Sequence, residues 1–180
     1  MPSPAITLRP ATPADAPTIL RFIRELADYE RALHEVKATE ADLLRDGWGL
    51  APDGRTPLAP PAPLRFRALI ADWQPVPDTP PQPAGFALFF TSYSTWLGHH
   101  GIRLEDIYVT PERRGNGIGR MLLRELARIA IDEGCGRLEW DVLTWNEPAI
   151  AFYASIGAKR QEEWRIMRLS GEALQTLASS

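Results

Sequence analysis

A glycine-rich turn flanked by arginines is the segment of this sequence best suited to bind a ligand. It runs Arg113, Arg114, Gly115, Asn116, Gly117, Ile118, Gly119, Arg120, and the apolar residues after it recur at helical spacing. Glycine lets the backbone adopt positive φ angles and approach a ligand without an intervening side chain. The N–H groups and the helix dipole at such a turn attract anions, and the arginines add positive charge. The pattern predicts a site for a diphosphate group.

The spacing of the glycines distinguishes between the possible diphosphates. A nucleotide P-loop requires Gly-Lys followed by Ser or Thr, which this turn lacks. The dinucleotide fingerprint GxGxxG fails because Arg120 stands where its third glycine would be. Arg114-x-x-Gly117-x-Gly119 fits the pattern that holds the diphosphate of coenzyme A. The alternative is a tight strand–helix turn without a ligand.

Carboxylates on two predicted strands could handle a cationic substrate. Glu105 and Asp106 lie shortly before the glycine turn, and strict alternation along a strand predicts that they point to opposite faces. A carboxylate attracts a cation and can accept a proton from it. Glu139 and Asp141 alternate to one face of a later strand and add negative charge. The alternatives are ion pairs and solvated strand edges, and we expect Asp106 to be structural.

Hydrophobic periodicity predicts the elements that position these residues. Proline-rich segments near 51–63 and 74–83 predict irregular loops, and a loop over 94–101 carries Trp96, His99 and His100. The order is βααβββαβαβ, an α/β fold with a mixed twisted sheet flanked by helices, in one domain over 1–180. Thr12 and Thr39 are predicted N-caps of the first two helices, with Asp15 three residues after Thr12. The predicted ranges are a strand near 6–9, helices over 13–33 and 39–46, strands over 64–71, 85–93 and 103–109, a helix from the glycine turn to near 134, a strand over 137–143, a helix over 146–156, a strand over 164–169 and a short final helix.

Composition excludes several classes of function. The formal net charge is −3 and there is no block of basic residues, which argues against nucleic acid as a partner. Cys135 is the only cysteine and the three histidines form no HExxH pattern, so we expect no metal site. No apolar run of 18 residues and no signal-peptide pattern occur, so we expect a cytoplasmic protein without a membrane partner.

Motifs spread along nearly the whole chain resemble a known family. They are IRELADYE (23–30), GFALFFTSYSTW (85–96), LEDIYV (104–109), RGNGIG (114–119), WNEPAIAFY (145–153) and EEWR (162–165). The sequence resembles the GNAT superfamily of N-acetyltransferases, and within it the diamine (spermidine/spermine) and thialysine acetyltransferases. This resemblance implies the GNAT fold, acetyl-CoA as donor, a small-molecule primary amine as acceptor and a homodimer. The proline-rich segment 51–83 is longer than the family pattern.

The resemblance also implies residue roles. Glu105 would be the base, acting through a water, and Tyr153 would be the general acid that protonates the departing thiolate. A core-facing aromatic pair with Phe152 is the alternative for Tyr153, and capping of its own helix is a second role for Asn146. The cofactor-binding residues would be Ile107, Tyr108, Val109, Arg114, Gly115, Asn116, Gly117, Ile118, Gly119, Arg120, Asn146 and Tyr153. The substrate-binding residues would be Tyr29, Glu30, Trp96, Glu105, Glu139, Asp141 and Glu162.

The sequence leaves the function open at several points. The favoured hypothesis is an acetyl-CoA-dependent enzyme that acetylates a polyamine or diamine. A thialysine-like amino acid or another small amine is the alternative substrate. One further alternative is a non-catalytic acyl-CoA-binding module, and the presence of both Glu105 and Tyr153 argues against it. Another is a peptide or protein acetyltransferase.

Overall fold

The computed structural model describes residues 4–61 and 63–180, which form two compact units. The first unit ends at Asp141 and contains the whole sheet, and the second unit is Val142–Ser180. The strands are β1 (Ala5–Pro10), β2 (Arg67–Gln74), β3 (Gln82–Ser94), β4 (His99–Val109) and β5 (Leu138–Glu139). The α-helices are α1 (Ala16–Tyr29), α2 (Glu40–Trp48), α3 (Ile118–Asp132), α4 (Glu147–Ser155) and α5 (Gly171–Ser179). None of the helices in the described ranges is long and apolar enough to cross a membrane.

The five strands lie in sequential order in one mixed sheet. Antiparallel ladders join β1 to β2, β2 to β3 and β3 to β4, whereas β4 and β5 pair in parallel. The predicted fold class is confirmed, and the predicted order of elements holds from β1 through α4.

Helices cover both faces of this sheet. Six consecutive residues of β3, 84–89, are buried, which requires cover on the two faces to which their side chains alternate. On one face the Phe22 ring of α1 lies 5.6 Å from Phe86 and 5.7 Å from Tyr108, between ring centroids. The buried residues of α3, among them Leu122 and Leu126, pack against the sheet outside that cluster. We call these the α1 face and the α3 face.

A buried ion-pair network fixes the start of α1. Thr12 and Asp15 form a capping box around a 3-10 turn at Pro13–Asp15, as the sequence predicts, and α1 follows directly. Both guanidinium Nη atoms of Arg9 donate to Asp15, at 2.7 and 2.8 Å, and Arg9 Nε donates to Asp72 at 2.7 Å. The predicted single helix over 13–33 is too long, because α1 ends at Tyr29 and Arg31 adopts φ 61°.

Replacing Asp15 by asparagine should destabilise the protein. Burial disfavours the charged form of Asp15, but hydrogen bonds from Arg9 and Thr12 outweigh it and lower the pKa. A group whose pKa is depressed in the folded state contributes stability above its unfolded pKa of about 3.9, and loses it as pH falls through the folded value. We expect D15N to lower the free energy of unfolding by roughly 2 kcal/mol at pH 7, and by progressively less below pH 4.

Urea unfolding from pH 2 to pH 7 measures this loss, with D42N as the control. Asp42 forms the same kind of capping box with Thr39 at the start of α2, but its side chain is exposed, so D42N should cost much less than D15N. Equal losses in the two variants would show that the buried network around Arg9 adds nothing.

The predicted end of α2 is two residues too early. Thr39 caps the helix as expected, with Asp42 N donating to Thr39 Oγ1 at 3.2 Å, but the helix continues to Trp48. Gly49 then adopts φ 67° and terminates it. Gly47 lies inside the helix and does not end it. A Cβ at Gly47 would lie 2.7 Å from the Phe66 ring, so a larger residue there would require the ring to move.

The strands around the proline-rich segments also differ from their predicted ranges. β2 begins at Arg67 and runs to Gln74, and β3 begins at Gln82, so the irregular loop near 74–83 is shorter than expected. The predicted loop over 94–101 is a turn of four residues, because His99 and His100 pair with Ser94 and Tyr93 as part of β4. The loop near 51–63 has no helix or strand in its described residues, and Ala62 lies outside them.

Two strand predictions near the end of the chain are wrong. The strand expected over 137–143 has only two residues, since β5 pairs with β4 at Ile102–Leu138 and Arg103–Glu139 and nowhere else. The strand expected over 164–169 is absent, because that alternating segment has no neighbouring strand with which to form a ladder. The short final helix is confirmed as α5.

Candidate functional site

An open edge of β4 adjoins the glycine turn. The parallel pairing with β5 stops at Arg103, so residues 104–109 have no strand of the first unit on that side. Thr110 N donates to Ala84 O of β3 at 2.9 Å. Because N–H directions alternate along a strand, the N–H groups of Ile107 and Val109 point away from β3, toward the open edge. This edge therefore offers two backbone donors to an extended ligand.

The glycine turn leads from that edge into α3. Gly115 and Gly117 adopt φ 78° and 81°, which confirms the predicted left-handed turn, and Gly117 is the N-cap. The first intrahelical bond runs from Met121 N to Gly117 O at 3.0 Å. The N–H groups of Ile118 and Gly119 precede it and receive no acceptor from the helix, and the cap has no side chain to supply one. The turn has the geometry of an anion-binding helix start.

Side chains of the turn bind its own backbone and the end of α1. Asn116 Nδ2 donates to the carbonyl oxygens of Arg113 and Arg114, at 3.0 and 3.2 Å. Arg114 Nε donates to Val109 O at 3.1 Å, and its guanidinium carbon lies 5.1 Å from the ring centroid of Tyr29 and 5.7 Å from that of Tyr108. Arg114 therefore joins the turn to β4 and to the last residue of α1.

A β-bulge in β4 changes the predicted directions of its two acidic residues. Leu88 of β3 is opposite Asp106, but the next residue, Phe89, is opposite Leu104, so Glu105 is an extra residue without a partner. Residues directly opposite each other share a face. Asp106 therefore lies on the α1 face with Leu88, while Leu104 lies on the α3 face. The simple alternation from which we inferred opposite faces for Glu105 and Asp106 does not hold across this bulge.

Asp106 and Glu30 form an acidic group on the α1 face. Glu30 follows α1 directly as its C-cap, and burial raises its pKa. Asp106 is half-buried, and burial raises its pKa to about 6, with further contributions from the negative charges of Glu105 and Glu30. Glu105 is exposed. The structure thus brings together Glu30, Glu105 and Asp106, which we call the acidic cluster.

Two of the predicted substrate carboxylates are already paired with arginines. Glu139 lies 3.1 Å from Arg137, and Asp141 forms an ion pair with Arg103. Because these charges are compensated, they add less to an anionic pocket than the sequence suggests. Trp96 lies on the four-residue turn between β3 and β4 and is 86% exposed.

Three predicted site residues belong to the second unit. Asn146 caps α4, as its Oδ1 accepts from Ala149 N at 3.3 Å, which confirms its capping role. Tyr153 lies on α4, half-buried, with its ring centroid 5.4 Å from that of Phe152. Glu162 is exposed and lies 2.8 Å from Arg160. Their catalytic and binding roles stay predictions.

The bulge at Glu105 has no signature in the sequence, so the sequence alone does not distinguish Asp106 from the adjacent Glu105. The only signal is the Glu-Asp pair itself, which directly precedes the predicted backbone donors at Ile107 to Val109.

Comparisons with known proteins identify a family of acetyltransferases. Residues 50–158 match the model of the acetyltransferase (GNAT) family. A thialysine N-epsilon-acetyltransferase of Bos taurus is 40% identical over 178 residues, covering 96% of this chain and 97% of that protein. A spermidine/spermine N(1)-acetyltransferase-like protein 1 of Homo sapiens is 36% identical over 175 residues, covering 95% of this chain and 23% of that protein. A solved integron cassette protein from the mobile metagenome of V. cholerae has a TM-score of 0.70 and 25% identity, covering 97% of this chain and 98% of that one.

Proposed function

The chain belongs to the GNAT family of acetyltransferases, and we propose that it transfers an acetyl group from acetyl-CoA to a primary amine on a small cationic substrate. The observation that carries this proposal is the near full-length similarity to the bovine thialysine N-epsilon-acetyltransferase. The family match and the bovine relative show that the chain is an acetyltransferase enzyme. This excludes the alternative of a non-catalytic binding module.

The open edge and the glycine turn support acetyl-CoA as the donor. The N–H groups at Ile107 and Val109 suit the amide-containing arm of coenzyme A and the oxyanion that develops during attack. The N–H groups of Ile118 and Gly119 suit its diphosphate, since they begin a helix and lack internal acceptors. Arg114, Gly115, Asn116, Gly117 and Arg120 complete the turn. These groups fit the coenzyme without a metal.

The acidic cluster supports a cationic acceptor. A carboxylate near the thioester attracts an ammonium group and can then accept its proton. The bovine relative is named for thialysine and the human relative for spermidine and spermine, and both kinds of molecule carry a second charged group. Our first candidate is the side-chain amine of a thialysine-like amino acid, and our second is a polyamine or diamine.

The remaining roles follow the family resemblance. Tyr153 would protonate the departing thiolate, while Tyr29, Glu30, Trp96 and Glu162 would contact the substrate. We further propose that residues 1–180 act as one cytoplasmic GNAT domain that forms homodimers. Light scattering tests the dimer, and a monomer at all concentrations would contradict it.

An amine panel tests the substrate class. We expect release of coenzyme A thiol with thialysine, spermidine or putrescine, and a kcat/KM at least about tenfold lower with butylamine, because butylamine lacks a second charge for the acidic cluster. Mass spectrometry of the product identifies the acetylated nitrogen. An equal kcat/KM for butylamine and for the amines with a second charged group would contradict recognition of a second charge. No thiol release with any amine would contradict the proposal as a whole.

A further inference from the structure

We propose that the side chain of Arg114 positions the end of α1 for the acceptor amine. This role rests on the proposed function, because Tyr29 and Glu30, the residues at the end of α1, would contact the acceptor. The family resemblance places Arg114 with the donor. The proposed role adds a function of its side chain on the acceptor side, while its backbone stays part of the glycine turn.

The side chain of Arg114 extends from the glycine turn to β4 and α1. Its Nε donates to Val109 O at 3.1 Å. Its guanidinium carbon lies 5.1 Å from the ring centroid of Tyr29 and 5.7 Å from that of Tyr108, and both distances are within the range of about 6 Å for a cation–π contact. Three contacts on two elements orient the guanidinium. Its charge is therefore directed toward α1 and β4.

Tyr108 contacts the same side of α1. Its ring is buried and lies 5.7 Å from that of Phe22, and its hydroxyl hydrogen-bonds the carboxylate of Glu25. Glu25 and Tyr29 are four residues apart on α1, so their side chains are neighbours on one side of the helix. The last turn of α1 thus contacts β4 through Tyr108 and the glycine turn through Arg114.

The backbone at the end of α1 adopts a conformation that needs such contacts. Glu30 is the C-cap, and the next residue, Arg31, adopts φ 61°, which is unfavourable for a residue with a Cβ. Arg31 N donates to Asp28 O at 3.0 Å, so this conformation is part of the end of the helix. Contacts that hold the last turn of α1 offset its cost. The contact between Arg114 and Tyr29 is one of them.

Removal of the Arg114 side chain should therefore weaken binding of the amine. Glu30 follows Tyr29 directly, so a displaced Tyr29 also displaces the half-buried carboxylate of Glu30. Arg114 acts on the acceptor through Tyr29, which makes it a positioning residue for this part of the site. Its removal should raise KM for the amine and leave kcat nearly unchanged, because the reacting groups themselves are retained.

Steady-state kinetics with the amine that the wild type uses best test this role. For each variant, acetyl-CoA is raised until the rate no longer depends on it, so that a loss of donor affinity does not affect the result. In R114M, KM for the amine should rise about fivefold, which corresponds to the strength of one exposed cation–π contact, and kcat should stay within about twofold. R114K retains a cation near the Tyr29 ring and should restore most of the amine affinity.

R113M is the matched control. Arg113 is the neighbouring arginine, but its guanidinium carbon lies 4.7 Å from the ring centroid of Trp73 on β2. R113M removes the same charge from the same turn, so KM for the amine should stay within about twofold of the wild type. R114Q retains a donor for Val109 O but lacks the charge. It should match R114M, and it decides the test if R114M does not fold.

A double-mutant cycle and hydrogen exchange show whether the effect passes through Tyr29. In a Y29L background, R114M should raise KM for the amine by less than about twofold, because the contact is already absent. In the protein without substrates, R114M should increase the exchange rates of the amides of Glu30, Arg31 and Ala32 about fivefold. The amides in the buried middle of α1 should keep their wild-type rates.

Several outcomes would overturn this role and leave the proposed function intact. They are an unchanged KM for the amine in R114M, an equal rise in R113M, no recovery in R114K, and a full additional rise in the Y29L background. Faster exchange without a rise in KM would show that Arg114 only stabilises α1, and it would also overturn the role. A wild-type protein that acetylates no amine is seen before any variant is measured, and it would overturn both the proposed function and this role.

Discussion

Replacing Tyr153 by phenylalanine should lower kcat by about 10²–10⁴-fold while the affinity for acetyl-CoA stays unchanged. The substitution removes only the phenol oxygen. The phenol of tyrosine has a pKa of about 10, and the conjugate acid of the thiolate has a pKa of about 8.5. The phenol can still protonate the thiolate when proton transfer accompanies departure of the thiolate. Without that proton the thiolate is a poorer leaving group, so collapse of the intermediate toward product slows. Steady-state kinetics and calorimetric titration with acetyl-CoA measure the two quantities separately.

Tyr93→Phe is the matched control for this prediction. Tyr93 lies on β3 with 65% of its surface exposed, so loss of its hydroxyl should leave kcat within about twofold. If Y153F retains the kcat of the wild type, Tyr153 is not the general acid. Its packing against Phe152 would then explain why an aromatic residue stands at this position. A pre-steady-state measurement adds a second criterion, because a thiol-protonation defect slows the first turnover as well as later ones.

Replacing Gly117 by valine should weaken binding of acetyl-CoA by about 10²-fold. Gly117 adopts φ 81°, which costs an L-residue roughly 1–2 kcal/mol, and a branched side chain adds to that cost. The backbone can relieve this strain only by rotating the N–H groups of Ile118 and Gly119 away from the diphosphate. Each tenfold loss of affinity corresponds to about 1.4 kcal/mol, so strain and lost hydrogen bonds together account for the expected effect.

Gly134→Val provides a control of equal strain. Gly134 follows α3 with φ 68°, and a Cβ at either glycine would meet no atom within 4 Å. The two variants should lose similar amounts of unfolding free energy, but only G117V should lose cofactor affinity. Equal affinity in G117V and the wild type would remove the central support for a coenzyme at this turn.

The sequence predicts elements well where local chemistry alone determines them. The capping boxes at Thr12 and Thr39, the left-handed glycines at 115 and 117, and Asn146 as the cap of α4 are all confirmed. Each depends on a few adjacent residues whose hydrogen bonds form within one turn. The resemblance to the GNAT family is confirmed as well, because its motifs lie in several elements and not in the glycine turn alone.

Features that depend on a distant partner could not be predicted in the same way. The alternating segment 164–169 has the pattern of a strand, yet a strand exists only beside another, and no pattern within the segment supplies the neighbour. The pairing of Asp141 with Arg103 joins residues far apart in sequence. The placement of Asp106 on the α1 face depends on the register between β3 and β4, which is set by buried residues on both strands.

The extra residue in β4 makes this strand tolerant of a deletion at one position. Leu104 and Asp106 lie on opposite faces, although they are two residues apart, because Glu105 is an unpaired extra residue between them. Deleting Glu105 would make the two residues consecutive, and strict alternation would keep them on the faces that they occupy now. Loss of Glu105 therefore preserves the α1 and α3 faces, whereas a deletion elsewhere in β4 exchanges the two faces for every residue on one side of it.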